Sequence, residues 1–179
     1  MSPEPITLTR DCLATTVPYG ERALLPAGAL VQMVQTLGDS FTVRSERGAL
    51  LRIDGHDADA LGLDAPVAAP VGESEHFSMD LVVDALRTVF DPEIPINILD
   101  LGLVYRCDEE PLPDGGRRIS IDMSMTAPGC GMGDVLRSDA EKAVGRVPGV
   151  EEVDVTLVWD PPWSIGMLTE SARLELGMM

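Results

Sequence analysis

Arg118-Ile-Ser-Ile-Asp-Met-Ser-Met-Thr-Ala-Pro-Gly-Cys130-Gly-Met-Gly133 is the stretch on which the fold turns. Ile119, Ile121, Met123 and Met125 alternate with Ser120, Asp122 and Ser124, the period of a strand with one face buried. The glycine-rich break at 129–133 ends that period. Val135, Leu136, Ala140, Ala143 and Val144 then recur at helical spacing and stop near Pro148-Gly149. A strand, a tight turn carrying a cysteine, and a helix therefore follow one another.

Working upstream, Pro113-Asp-Gly-Gly116 supplies a turn that pairs this strand with another over Leu103 to Cys107. Before it, Leu81, Val82, Ala85, Leu86 and Val89 fall on one helical face, with Ser78 as the cap and Asp91-Pro92 as the stop. Downstream, Val153, Val155, Leu157 and Trp159 alternate with Asp154, Thr156 and Val158 in a third strand, which places Trp159 in the core. Pro161-Pro162 ends that strand because proline has no N–H to donate. A last helix is expected over Ser164 to Leu176. The order α-β-β-α-β-α over 80–179 predicts a compact α+β domain with helices over one face of its sheet.

Residues 64–79, Asp-Ala-Pro-Val-Ala-Ala-Pro-Val-Gly-Glu-Ser-Glu-His-Phe-Ser-Met, keep neither period and are expected to be a linker. Residues 1–63 carry turn signals at Pro18-Tyr-Gly20, Pro26-Ala-Gly28, Gly38-Asp-Ser40 and Glu46-Arg-Gly48 between short apolar runs. Leu30 to Val34 is set to face Phe41 to Val43. This predicts a small β-rich module whose core is thin, so that it is expected to lean on the second part or on a partner.

The 179 residues, 45% hydrophobic and 24% charged, have globular composition. Aromatics make up only 4%, so platforms for stacking bases are scarce. The formal charge of -17 opposes binding to nucleic acid and to anionic membranes, both of which are attracted by Lys and Arg. Cys12, Cys107 and Cys130 are widely spaced and odd in number, which argues against a disulfide framework and a closed zinc site. With no signal-like start and no long apolar run, a cytoplasmic location is expected.

Cys130 is the candidate functional group. A helix N-terminus favours negative charge, so a thiolate there is expected to form more readily. A small cysteine packed into a turn accounts equally well for the local sequence. Asp91, Glu93 and Asp100 lie on the loop between the first helix and the hairpin, placed either to serve the thiol or simply to stop a helix and make turns. Trp163, beyond the prolines, is set to edge a pocket or an interface. His56 and His76 are remote in sequence from Cys130, and Lys142 follows no phosphate-cradling loop. Neither a Cys/His nucleophile pair, nucleotide hydrolysis nor serine-esterase chemistry is supported, so no enzyme activity is expected.

Asp91-Pro-Glu-Ile-Pro-Ile-Asn-Ile-Leu-Asp-Leu-Gly-Leu-Val-Tyr105, Met125-Thr-Ala-Pro-Gly-Cys130 and Val153-Asp-Val-Thr-Leu-Val-Trp-Asp-Pro-Pro-Trp163 together resemble the iron-sulfur cluster assembly domain family. Leu25-Pro-Ala-Gly28, Gln35 to Val43 and Arg52 to Leu61 are similar to the N-terminal extension of the family's SufT branch. The resemblance implies a maturation factor that helps deliver clusters to client apoproteins alongside other assembly proteins. Cys130 would be its reactive or ligating thiol, and iron or a transient iron-sulfur cluster its cargo. Asp91, Glu93 and Thr126 match other positions lining the family's site, whereas Ala127 stands where some relatives carry a second hydroxyl. One thiol needs further donors, from a client or from a second copy in a homodimer, the commonest soluble assembly. The alternative is a non-catalytic subunit of a phenylacetate-type aromatic-ring oxygenase, whose members share the Asp-Pro-Glu and cysteine motifs but continue into a cysteine-rich tail.

Overall fold

A computed structural model describes residues 4–66 and 76–178. The chain divides into two compact units, Met1–Ala69 and Pro70–Met179. Residues 67–75 of the expected linker lie outside the described residues.

The first unit is an antiparallel sheet of six strands: β1 (Pro5–Thr7), β2 (Cys12–Val17), β3 (Arg22–Leu25), β4 (Leu30–Leu37), β5 (Ser40–Ser45) and β6 (Leu50–Asp54), in the order β1-β4-β5-β6-β2-β3. Met33 pairs with Val43 as the turn signals lead one to expect, but Thr42 and Phe41 pair with Gln35 and Thr36, beyond the expected run, after a bulge between Met33 and Gln35. One face packs Cys12, Val31, Phe41, Val43 and Ile53 against Ala58, Ala60 and Leu61 of a 3-10 turn, Gly55–Leu61. Neither β1 nor this turn is legible in the sequence pattern. Outside the core, Arg10 is clamped by Asp57 and Asp59, while the exposed His56 pairs with Asp57.

The second unit runs α1 (Met79–Leu86), β7 (Val104–Pro111), β8 (Arg117–Met123), α2 (Gly133–Gly145), β9 (Val150–Leu157), a 3-10 turn at Ile165–Met167, and α3 (Glu170–Glu175). The three-stranded sheet has the order β7-β8-β9. β7 and β8 form the expected antiparallel hairpin, whereas β9 lies parallel to β8, a pairing that needs the crossover supplied by α2. Ser78 caps α1 as expected, its Oγ accepting from Leu81 N–H at 3.3 Å. Ile119, Ile121 and Met123 of β8 and Val82, Leu86, Leu136, Ala140 and Val144 of the helices are all fully buried and make up the core of this unit. The other face of the sheet is ionic: Arg106 bonds Asp122, and Arg118 bonds Glu152.

Two expectations fail at the C-terminal end. β9 stops at Leu157, and Trp159, expected in the core, is 47% exposed. Alternation predicts burial only while the pairing continues, and the chain turns away before Asp160-Pro161. The last helix is also shorter than expected. Leu168 is extended (φ -60°, ψ 138°) between the 3-10 turn and α3, so Ser164 to Leu176 is two short turns of helix joined by a kink. Leu168 spends its apolar side chain in the core there, 5% exposed.

Candidate functional site

The loop from Phe90 to Gly102 carries the acidic residues and is stitched to itself. Ile98 N–H donates to Val89 O at 2.9 Å, and Asp91 N–H donates to Ile96 O at 3.1 Å. Asp91 is 2% exposed, and its Oδ1 accepts from the N–H groups of Glu93 (2.8 Å) and Ile94 (2.9 Å). An aspartate bonding the backbone two and three residues on shapes the turn. Burial pushes the Asp91 carboxyl up, while the N–H groups of Ile94 and Glu93 pull it back. Asp91 thus fixes the turn whose next carboxylate, Glu93, is exposed.

The second part of the site is the turn between β8 and α2. Gly129 takes a φ of +76°, which a side chain would resist, and Cys130 follows it half-buried. Gly133 N–H reaches Cys130 O at 3.3 Å as α2 begins. Cys130 Sγ lies 3.9 Å from Glu93 Oε1, so the structure brings together two of the predicted residues separated by 37 positions. Thr126 sits half-buried on the same turn.

The expected ease of ionisation is not found. Burial pushes the Cys130 thiol up, and the charges of Glu93 and Asp91 push the same way, as does the hydrogen bond to Glu93; the Met132 N–H pulls the other way by favouring the thiolate. The backbone donor of the helix start is present, as sequence reasoning anticipated. It is outweighed because the facing loop delivers carboxylates to the same sulfur. A protonated thiol at neutral pH is a poor free nucleophile, but it remains a ligand once a metal displaces its proton.

Asp100 makes turn contacts, one of the two roles open to the acids of this loop, and Trp163 bonds the same loop. Asp100 Oδ2 accepts from Asn97 Nδ2 at 2.7 Å, and Asn97 Oδ1 accepts from Leu99 N–H (3.1 Å) and Asp100 N–H (2.9 Å). Thr169, the cap of α3, donates through its N–H to Asp100 O at 2.9 Å and through Oγ1 to Asp100 Oδ1 at 3.3 Å. Trp163 Nε1–H donates to Leu101 O at 2.7 Å, and Tyr105 OH donates to Pro161 O at 2.8 Å. The segment after β9 is therefore a strap that anchors the loop behind Glu93. Sequence reasoning passed over Asn97 and Thr169. Their signals were present in the Asn-x-x-Asp turn and in a threonine directly ahead of Glu170.

Among the described residues, no group of three or more His, Cys, Asp or Glu is placed to hold a metal ion. The site offers two donors, one sulfur and one carboxylate.

The iron-sulfur cluster assembly protein family matches residues 80–155, which include both halves of this site. A relative in Porphyromonas gingivalis, an Fe-S protein maturation auxiliary factor, is 42% identical over 98 residues, covering 55% of this chain and 90% of that protein. This chain belongs to the iron-sulfur cluster assembly protein family. Another member, the maturation auxiliary factor SufT of Staphylococcus aureus, is 34% identical over 90 residues, covering 50% of this chain and 98% of its own. A solved domain of unknown function from Bacillus anthracis is 36% identical, with a TM-score of 0.48 over 56% of this chain and 92% of that one. The two named relatives are maturation auxiliary factors, which leaves the oxygenase alternative without support. No helix of the described residues is long and apolar enough to cross a membrane.

Proposed function

We propose that this protein is an accessory factor that holds iron or an iron-sulfur cluster transiently at Cys130 and passes it to client apoproteins in the cytoplasm. The observation that carries the reading is the half-exposed Cys130 sulfur set 3.9 Å from the Glu93 carboxylate, within the segment that the family match covers. Two relatives that align over nearly their whole length are maturation auxiliary factors.

Two donors are fewer than the four thiolates that usually hold a cluster. A site of this kind binds loosely and completes its ligand set with groups from the assembly protein that donates the cargo or from the client that receives it. Such incompleteness suits transfer better than storage. Cys130 supplies the soft sulfur ligand that iron-sulfur clusters prefer, and Glu93 is placed to take the proton that leaves the thiol. The buried Asp91 keeps Glu93 on the correct side of the turn. No catalytic turnover is required of any of these groups.

Anaerobic reconstitution with iron and sulfide, followed by visible absorption and iron quantitation, tests the reading. Wild type is expected to retain iron and to transfer it to an apoprotein acceptor, and Cys130→Ser to lose both. Equal iron retention and equal transfer by the two proteins would refute ligation by Cys130.

A further inference from the structure

The strap after β9 exposes more than its anchoring role needs. Trp159 is 47% exposed, Ile165 55% and Leu174 56%, with Leu176 and Met178 also exposed. Val158 N–H donates to Met123 O at 2.8 Å, so Trp159 leaves β9 level with the end of β8, from which the Cys130 turn also departs. Arg173 Nη2 donates to Gly166 O at 2.8 Å and draws the Ile165 turn against α3. An indole and four other apolar side chains are uncovered between Trp159 and Met178, and the Arg173 bond ties the Ile165 turn to α3, which bears Leu174.

The exposed charges in this segment are mostly acidic, three carboxylates to one guanidinium. Asp160, Glu170 and Glu175 are all exposed, and Arg173, the one cation between Trp159 and Met178, is turned onto Gly166 O. The whole chain carries -17. A second copy would bring the same three acids and the same net charge to the contact, and like charges brought together oppose association. A partner whose own apolar side chains are flanked by Lys or Arg satisfies both features.

We propose that Trp159, Ile165 and Leu174, with their acidic rim, form the docking surface for a partner protein presenting apolar side chains flanked by basic ones, which brings that partner to the Cys130 turn. The inference deepens the function proposed above by describing the partner of the same site. The docking itself rests on exposed side chains and needs no cluster, so it is tested on metal-free protein, where failure of cargo binding has no influence.

The probe is a short fluorescent peptide of Leu and Lys arranged as a basic amphipathic helix, compared with the same composition in scrambled order, with binding read by anisotropy. Full-length wild type is expected to bind the amphipathic peptide more tightly than the scrambled one. Trp159→Ser/Ile165→Ser/Leu174→Ser should weaken binding by about tenfold or more, since a few apolar anchors carry most of an interface's affinity. Glu170→Gln/Glu175→Gln keeps the apolar side chains and should weaken binding less while flattening its salt dependence. Glu21→Gln/Glu46→Gln removes the same charge from the first unit and should leave binding unchanged. Wild-type affinity in both strap variants, or equal loss in the first-unit control, overturns the proposal. So does sedimentation showing a wild-type dimer that the triple variant dissociates, which would assign the surface to a second copy.

Discussion

At the scale of single residues, the chemistry is decided by which side chains the turns set against the Cys130 sulfur. Its thiol is raised by burial and by the carboxylates of Glu93 and Asp91. Glu93→Gln removes one of those charges while keeping a side chain of the same length, so the thiol pKa should fall toward its ordinary value. With the pKa lowered, the thiolate fraction at any pH below the midpoint rises. Alkylation of Cys130 by iodoacetamide is therefore expected to be faster in the variant near neutral pH, with the midpoint of the pH-rate profile displaced downward. An unchanged profile would mean that Glu93 contributes nothing to the shift. Ser124 gives a second prediction at this scale. Its Oγ is buried at the end of β8 and has no hydrogen-bond partner among the described residues. A buried hydroxyl without a partner costs about 1–3 kcal/mol, so Ser124→Ala should be neutral or stabilising by roughly 1 kcal/mol in urea denaturation. A clear loss of stability would show that the hydroxyl is satisfied in solution.

At the scale of elements, the sequence is legible wherever one local rule decides the outcome. The Ser78 cap, the Pro113-Asp-Gly-Gly116 hairpin and the strand-turn-helix around Cys130 each depend on neighbours in the chain, and each is found. What was not legible depends on partners far away. Nothing in Val153 to Leu157 states that β9 pairs parallel with β8, and nothing in the phase of Trp159 states that its strand has already ended. The contact of Cys130 with Glu93 spans 37 positions and has no sequence period at all. Asp100 and Trp163 carry no local sign of their partners, because Thr169 and Leu101 O become neighbours only when the strap folds back. Gly102 marks where that strap lies closest. Its φ is +71°, and an added Cβ would collide with Met167 O. Gly102→Ala combines a left-handed backbone with a clash against main chain, so a loss of at least ~2 kcal/mol is expected in urea denaturation. Gly115→Ala supplies the control: its φ is +95° but no atom lies within 4 Å of an added Cβ. It should cost less, and an equal loss in both would remove the close approach of the strap as the cause.

At the scale of the whole molecule, the question is which part holds the chemistry. Both halves of the site, the loop of Asp91 and Glu93 and the turn of Cys130, belong to the second unit, and the family match of 80–155 lies within it. That unit has its own buried core of Val82, Ile98, Leu103, Ile121 and Leu136, together with its own sheet. The Porphyromonas gingivalis relative aligns over 98 residues that make up 90% of its length, so a chain of about this size suffices for that member of the family. A polypeptide of residues 76–179 should therefore unfold in one cooperative thermal transition and, after anaerobic reconstitution, retain as much iron per chain as the full-length protein. A domain with its own core is expected to fold alone, whereas a fragment cut through a shared core is not. Loss of the cooperative transition would mean that the second unit draws stability from residues before 76. A fragment that folds yet retains no iron would mean that the second unit does not hold the cargo by itself.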